Sequence, residues 1–228
     1  KNAFWKYLRE KDRYKKIRSY MMLGGEPLVI PELYESLDFW EKYPNDKLIF
    51  QITTNLKATD KKIDPLINRM QGMIRRGAVY RFKIVASIDA LGPEQEYARH
   101  GMDLNQFVKN FERLNSVKGI ELAINSTLSA LTIKKLPSLI EKIEKWNSQR
   151  SGERILFSFN IDGSTTNPKI FGAGVFDKEL KETIRLLPKK NVREIVIRRH
   201  FETLAESIMS SKKQPRKIDQ MKKYLTEL

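Results

Sequence analysis

The side chains with the means to bind a ligand recur at five places: Gly24-Gly25-Glu26, Thr53-Thr54-Asn55, Ser87 with Asp89, Asn125 with Thr127, and Asn160 with Asp162. Each group follows an apolar run of strand character, so each falls at the carboxyl end of an expected strand. In α/β folds ligands bind at that end, because the loops there are free of packing duty. Five such ends in succession make a shared polar rim, although turn chemistry or helix capping explains any one of them singly. The first group is the most distinctive. Tyr20-Met21-Met22-Leu23 reads as a buried strand that stops on two glycines, an acid and a proline. The glycines mark a sharp turn or a close backbone approach, and Pro27 removes a donor, leaving the carbonyls before it open to a ligand. A turn that only joins strand to helix has the same signature.

Helices must alternate with these strands to hold their ends in place. A helix is expected over residues 3–17, with Phe4, Trp5 and Leu8 on its apolar side. A second starts at Pro31, a favourable first helical position, and runs to about Tyr43 through Leu33, Leu37 and Trp40. Leu48–Ile52 is the next strand, followed by a helix from about Pro65 to Arg75. Tyr80–Ala86 is the third strand. A polar loop or broken helix with Glu96, Arg99 and Gly101 then leads to an amphipathic helix through Phe107, Phe111 and Leu114. Ile120–Ile124 and Ile155–Phe159 are the fourth and fifth strands, with a helix capped by Thr132 between them.

Strands separated by about thirty residues with a helix in each gap mean repeated βαβ units and a parallel sheet, either closing toward a barrel or open and twisted. After Pro168 the period fails. Gly172-Ala173-Gly174 is hinge-like, Asp177 is a candidate cap, Asn191 with Glu194 has capping-box spacing, and a basic helix of about Lys217 to Leu225 follows. The expected division is a core over 1–168 and a basic, mainly helical extension over 169–228.

The 228 residues contain no cysteine, which excludes disulfides and thiolate metal or cluster ligands from within the chain. Its two histidines, His100 and His200, are too few and too far apart to suggest a zinc site. Mean hydropathy is −0.51, and no apolar run approaches a membrane span, so a cytoplasmic protein without a membrane partner is expected. A net charge of +15 admits a nucleic acid or an acidic protein as partner. Solvated lysine-rich helix faces account for the same charge. The chain starts with Lys and not Met, and a preceding segment is expected.

With Gly24-Gly25-Glu26-Pro27, Ser87-Ile88-Asp89, Glu96-Tyr97-Ala98-Arg99-His100-Gly101 and Asn125-Ser126-Thr127 in this order, the chain resembles the radical S-adenosylmethionine (radical SAM) superfamily. The resemblance covers about residues 20 to 147. It is nearest to members with SPASM or twitch-type extensions, small phage-encoded ones included. It implies a partial (βα)6 TIM-like barrel, its first strand missing or divergent, that binds S-adenosylmethionine (SAM). Gly24, Gly25, Glu26 and Pro27 would receive the methionyl amino group, since an ammonium needs acceptors. Ser87 and Asp89 would bond ribose hydroxyls, Arg99 would pair with the SAM carboxylate, and Asn55, Asn125 and Thr127 would complete the cofactor site. A turn or cap role for Asp89 and a solvated charge at Arg99 are the alternatives. The family reductively cleaves SAM to a 5′-deoxyadenosyl radical, which abstracts hydrogen from a substrate, here unknown. It does so on a 4Fe-4S cluster held by three cysteines. This chain has none, so a cluster is expected only if an upstream segment supplies them; without one, a cluster-less barrel serving as a binding or assembly module is the alternative.

Overall fold

The computed structural model describes residues 2–227. Its elements, in chain order, are α1 (Asn2–Arg9), β1 (Ser19–Met22), α2 (Pro31–Lys42), β2 (Asn45–Thr54), α3 (Asp60–Arg75), β3 (Val79–Ser87), α4 (Pro93–Ala98), α5 (Leu104–Asn115), β4 (Ile120–Leu128), α6 (Leu136–Ser148), β5 (Leu156–Ile161), α7 (Asp177–Leu186), α8 (Val192–Met209) and α9 (Pro215–Thr226). The fold is α/β with a five-stranded parallel sheet in the order β1-β2-β3-β4-β5. Each connection steps to the next strand in one direction, without the reversal that defines a doubly wound sheet.

The chain divides into two compact units: Lys1–Ser87 with Asn105–Ala123 and Gln149–Ile155, and Ile88–Leu104 with Ile124–Ser148 and Leu156–Leu228. In the first, Leu48, Phe50 and Ile52 of β2 are buried beside Phe82 and Ile84 of β3, with Leu33, Leu37 and Trp40 of α2 also fully buried. Burying each such side chain stabilises the fold by about 1.5–3 kcal/mol. The alternate residues Gln51, Thr53, Lys83 and Ser87 are only half-buried. A parallel sheet covered on both faces has near-continuous apolar strands; this alternation marks a second face that is polar.

In the second unit Phe157 and Phe159 of β5 are buried, and Phe159 packs on Phe201 of α8 with ring centroids 4.5 Å apart. Ser158 and Asn160, on the other face of the same strand, are exposed. Ile170, Ile218 and Met221 form a smaller cluster that ties α9 down. Among the described residues no helix is long and apolar enough to cross a membrane.

Several expected elements differ in detail. The helix over 3–17 stops at Arg9, and Lys11 and Asp12 take left-handed φ of 53° and 54° before a 3-10 turn to Lys16. That reversal returns the Arg13 guanidinium to the Tyr7 carbonyl, 3.2 Å away, and over the Tyr7 ring. The Tyr20–Leu23 run is not a buried strand, since Met21 is 54% and Leu23 63% exposed. β1 is first in the sheet and has one neighbour, so only Tyr20 and Met22 turn inward. The third helix starts at Asp60 and carries Pro65 inside it. Thr132 occupies an N-cap position but makes no side-chain cap bond; its hydroxyl pairs with Ser129 instead, at 3.0 Å.

Candidate functional site

In the second unit a cleft of about 310 Å³ is lined by Asp89, Arg99 and Thr127, together with Tyr97, Asp162 and Tyr224. Its construction starts two residues beyond β3. Ile88 N–H donates to the Asn125 carbonyl (3.2 Å), and the Asp89 carboxylate takes the next donor of β4, with Thr127 N–H 2.7 Å from Oδ1. Gly92 then adopts φ 104° and ψ −171°, a region essentially confined to glycine. The turn sends α4 back along the loop. Gln95 is fully buried, and its Oε1 accepts the backbone N–H groups of Asp89 and Ala90, both at 2.8 Å. Arg99 lies four residues on, hence on the same side of the helix. Its Nε reaches Asp89 Oδ2 at 2.6 Å and its Nη2 reaches Oδ1 at 3.1 Å.

The result is a fork-to-fork pair in the wall of the cleft, with Asp89 buried and Arg99 about a third exposed. Arg99 Nη1 makes no protein contact among the described residues. On the far wall Asp162 accepts Ser164 N–H (2.9 Å), Ser164 Oγ (2.7 Å) and the Thr166 hydroxyl. Burial opposes the Asp162 charge, yet the hydrogen bonds from Thr166 and Ser164 outweigh it and hold the pKa below the ordinary carboxylate value. Tyr97 and Tyr224 are about half exposed and add two aromatic faces.

Asn125 and Thr127 lie within β4, two positions apart and so on one face, rather than after its end. Asn125 Oδ1 accepts Ser158 Oγ at 2.9 Å and Asn160 Nδ2 at 3.1 Å, so the asparagine ties β4 to β5 across their polar face.

In the first unit Glu26 and Asn55 are brought together. Glu26 Oε2 accepts Asn55 N–H at 2.7 Å, while Oε1 accepts Leu28 N–H at 3.2 Å and the Thr54 hydroxyl. Glu26 is thus the N-cap of the 3-10 turn Pro27–Val29 and the clasp between that turn and the end of β2. Its carbonyl accepts Val29 N–H at 3.1 Å, which uses one of that oxygen's two lone pairs. Gly24 and Gly25 take φ of 85° and 58°, with nothing near a Cβ at either. They supply left-handed backbone, and the space beside them is open. Ser87 closes β3, half-buried, with no side-chain bond among the described residues.

A cavity of about 500 Å³ in that unit lies at the amino ends of β3 and β4. Both of its arginines are already paired: Arg81 with Glu121 and Glu153, and Arg150 with the carbonyls of Asn115, Ile120 and Glu153.

Gln95 and Tyr224 escaped the sequence reading, and Tyr97 was quoted in it only as part of the Glu96–Gly101 motif. For Gln95 the signal was present: Gly92-Pro93 opens α4, and a glutamine at its third residue can reach back to the preceding turn, as in a capping box. No local signal marks Tyr224. No protein-family model matches the chain, and no curated protein matches it. Among the described residues no cluster of His, Asp or Glu could hold a metal ion.

Proposed function

We propose that the Asp89–Arg99 cleft binds S-adenosylmethionine and that the chain is the core of a radical-SAM-like enzyme, cytoplasmic, with its strands wound as a partial (βα)6 barrel. One observation carries this reading. Asp89, Arg99 and Thr127 line a single cleft that also presents two exposed tyrosine rings. Asp89 Oδ2 retains a lone pair for a ribose hydroxyl, Arg99 Nη1 retains donors for a carboxylate, and a tyrosine face suits a purine. The single winding direction and the polar second face of the sheet favour a barrel over a doubly wound fold.

The 4Fe-4S cluster that the family uses does not fit this chain, whose donor set contains no thiolate. What the chain's own residues do is bind and orient the nucleoside: Asp89 accepts, Arg99 and the Thr127 hydroxyl donate, and the tyrosines exclude water from one ring face.

Isothermal calorimetry with SAM and with S-adenosylhomocysteine tests the proposal. Saturable binding that Asp89→Asn abolishes supports it; heats indistinguishable from dilution with wild-type protein dismiss it.

A second reading, a nucleic-acid or acidic-protein binding module, is favoured by α9, where exposed Arg216, Lys217, Lys222 and Lys223 accompany a half-exposed Tyr224. Affinity for an oligonucleotide that drops steeply with added salt supports this reading, and salt-independent or absent binding removes it.

A further inference from the structure

A second cleft of about 400 Å³ adjoins the first in the same unit, with Ser164 in the wall of both. Its polar lining differs in kind from that of its neighbour. Lys169 and Lys217 face it with the side chains of Asn167, Gln214 and Gln220, and none of the nine lining residues is acidic. Neither the half-buried Lys169 nor the exposed Lys217 forms an ion pair among the described residues, whereas Arg99 and Arg198 of the same unit each have one. The two acids adjoining the lining residues in sequence are engaged elsewhere, Asp162 by Ser164 and Thr166 and Asp219 by Lys222 at 4.0 Å.

Local structure explains how the lysines converge. Asn167 caps the 3-10 turn Pro168–Phe171 by accepting Lys169 N–H at 2.9 Å, which sets Lys169 in the first turn. Gln214 N–H donates to the Ile170 carbonyl at 2.8 Å, pinning the start of α9 to that turn and setting Lys217 beside it. The cleft therefore lies against the amino end of α9, where the helix dipole adds to the positive potential. Ile170 and Ile218 belong to one apolar cluster, which anchors the 3-10 turn and the start of α9 that carry the two lysines.

We propose that this cleft binds the phosphate group of a small phosphorylated molecule, the substrate class of the neighbouring site. Two ammonium groups and three amides, with no carboxylate among the lining residues, match the charge and acceptor count of a phosphate monoester. The shared wall at Ser164 sets such a ligand beside the occupant of the Asp89–Arg99 cleft. Its role as substrate rests on the SAM reading; its binding does not.

Equilibrium dialysis at constant ionic strength with inorganic phosphate and with AMP tests the proposal, alongside SAM binding on the same samples. The double variant Lys169→Met/Lys217→Met keeps the aliphatic stems and removes both charges. AMP and phosphate should bind the wild type saturably and the double variant at least about tenfold more weakly, the loss of a charge-assisted contact. SAM binding should be unchanged in that variant, and Asp89→Asn should show the reverse pattern. Phosphate binding without SAM binding supports this cleft and removes the function proposed for its neighbour. Absent binding of both probes overturns the proposal, as does equal binding by the double variant. Binding confined to oligonucleotides, tightening with their length, overturns it in favour of a nucleic-acid surface.

Discussion

The guanidinium of Arg99 straddles the Asp89 carboxylate, with Nε 2.6 Å from Oδ2 and Nη2 3.1 Å from Oδ1. Two opposite readings of Arg99, a free fork awaiting a ligand carboxylate and a solvated surface charge, both give way to this pair. A ligand carboxylate would meet Nη1 instead. Asp89→Asn keeps an acceptor for Thr127 N–H and leaves the arginine charge without its counterion. A loss of about 1–3 kcal/mol is expected in urea unfolding with an unchanged m-value. Arg99→Lys should recover only part of it, since an ammonium cannot span both oxygens.

Glu26 ties the Gly24–Pro27 turn to β2, and its removal strands donors rather than apolar groups. Glu26→Ala should cost about 1–2 kcal/mol. Amide exchange should accelerate at Leu28 and Asn55, the two backbone donors it satisfies, and not at Ile52 in the strand interior. Glu26→Gln should retain part of the stability, because its carbonyl oxygen can still accept.

Asp60, at the start of α3, is held by Lys109 Nζ at 2.5 Å, Gln106 Nε2 at 3.3 Å and Arg113 Nη1 at 2.8 Å. The hydrogen bond from Lys109, with those from Gln106 and Arg113, lowers its pKa from 3.8 to about 2. A carboxylate depressed in the folded state stabilises above its unfolded pKa and loses that contribution as pH falls through the folded one. Wild type should therefore exceed Asp60→Asn in thermal midpoint at pH 5 and above, and the two curves should converge between about pH 4 and pH 2.

Lys11 is exposed and left-handed, a conformation that costs a residue with a Cβ roughly 1 kcal/mol. Lys11→Gly removes that cost without removing a contact, so urea unfolding should show a gain of up to about 1 kcal/mol, less the added entropy of the unfolded chain. A loss of stability would mean that the Lys11 stem packs on the 3-10 turn.

Leu56 is also left-handed, with φ 53°, yet fully buried. Asn110 of α5 holds it there, donating Nδ2 to the carbonyls of Leu56 (2.9 Å) and Ala58 (2.7 Å). Asn110→Ala leaves the Leu56 carbonyl without that donor and the Ala58 carbonyl with only Gln106 Nε2, at 3.3 Å, and should destabilise by about 1–3 kcal/mol in the same assay.

The strands, most helices and the polar character of the strand ends were legible in the chain itself. Strand alternation repeats every second residue, helix faces every third or fourth, and Pro31, Pro93 and Asn191 punctuate their helices through local geometry. Burial at β1 was not legible, because an edge strand and a central strand are written in the same residues. Side-chain partnership was settled only by the tertiary structure. Thr54 reaches Glu26 across 28 positions, and Asp89 meets Thr127 across 38. No local rule spans such distances. Which acid stays open to a ligand and which becomes a clasp depends on how neighbouring strands bring their ends into register, and that is decided by packing.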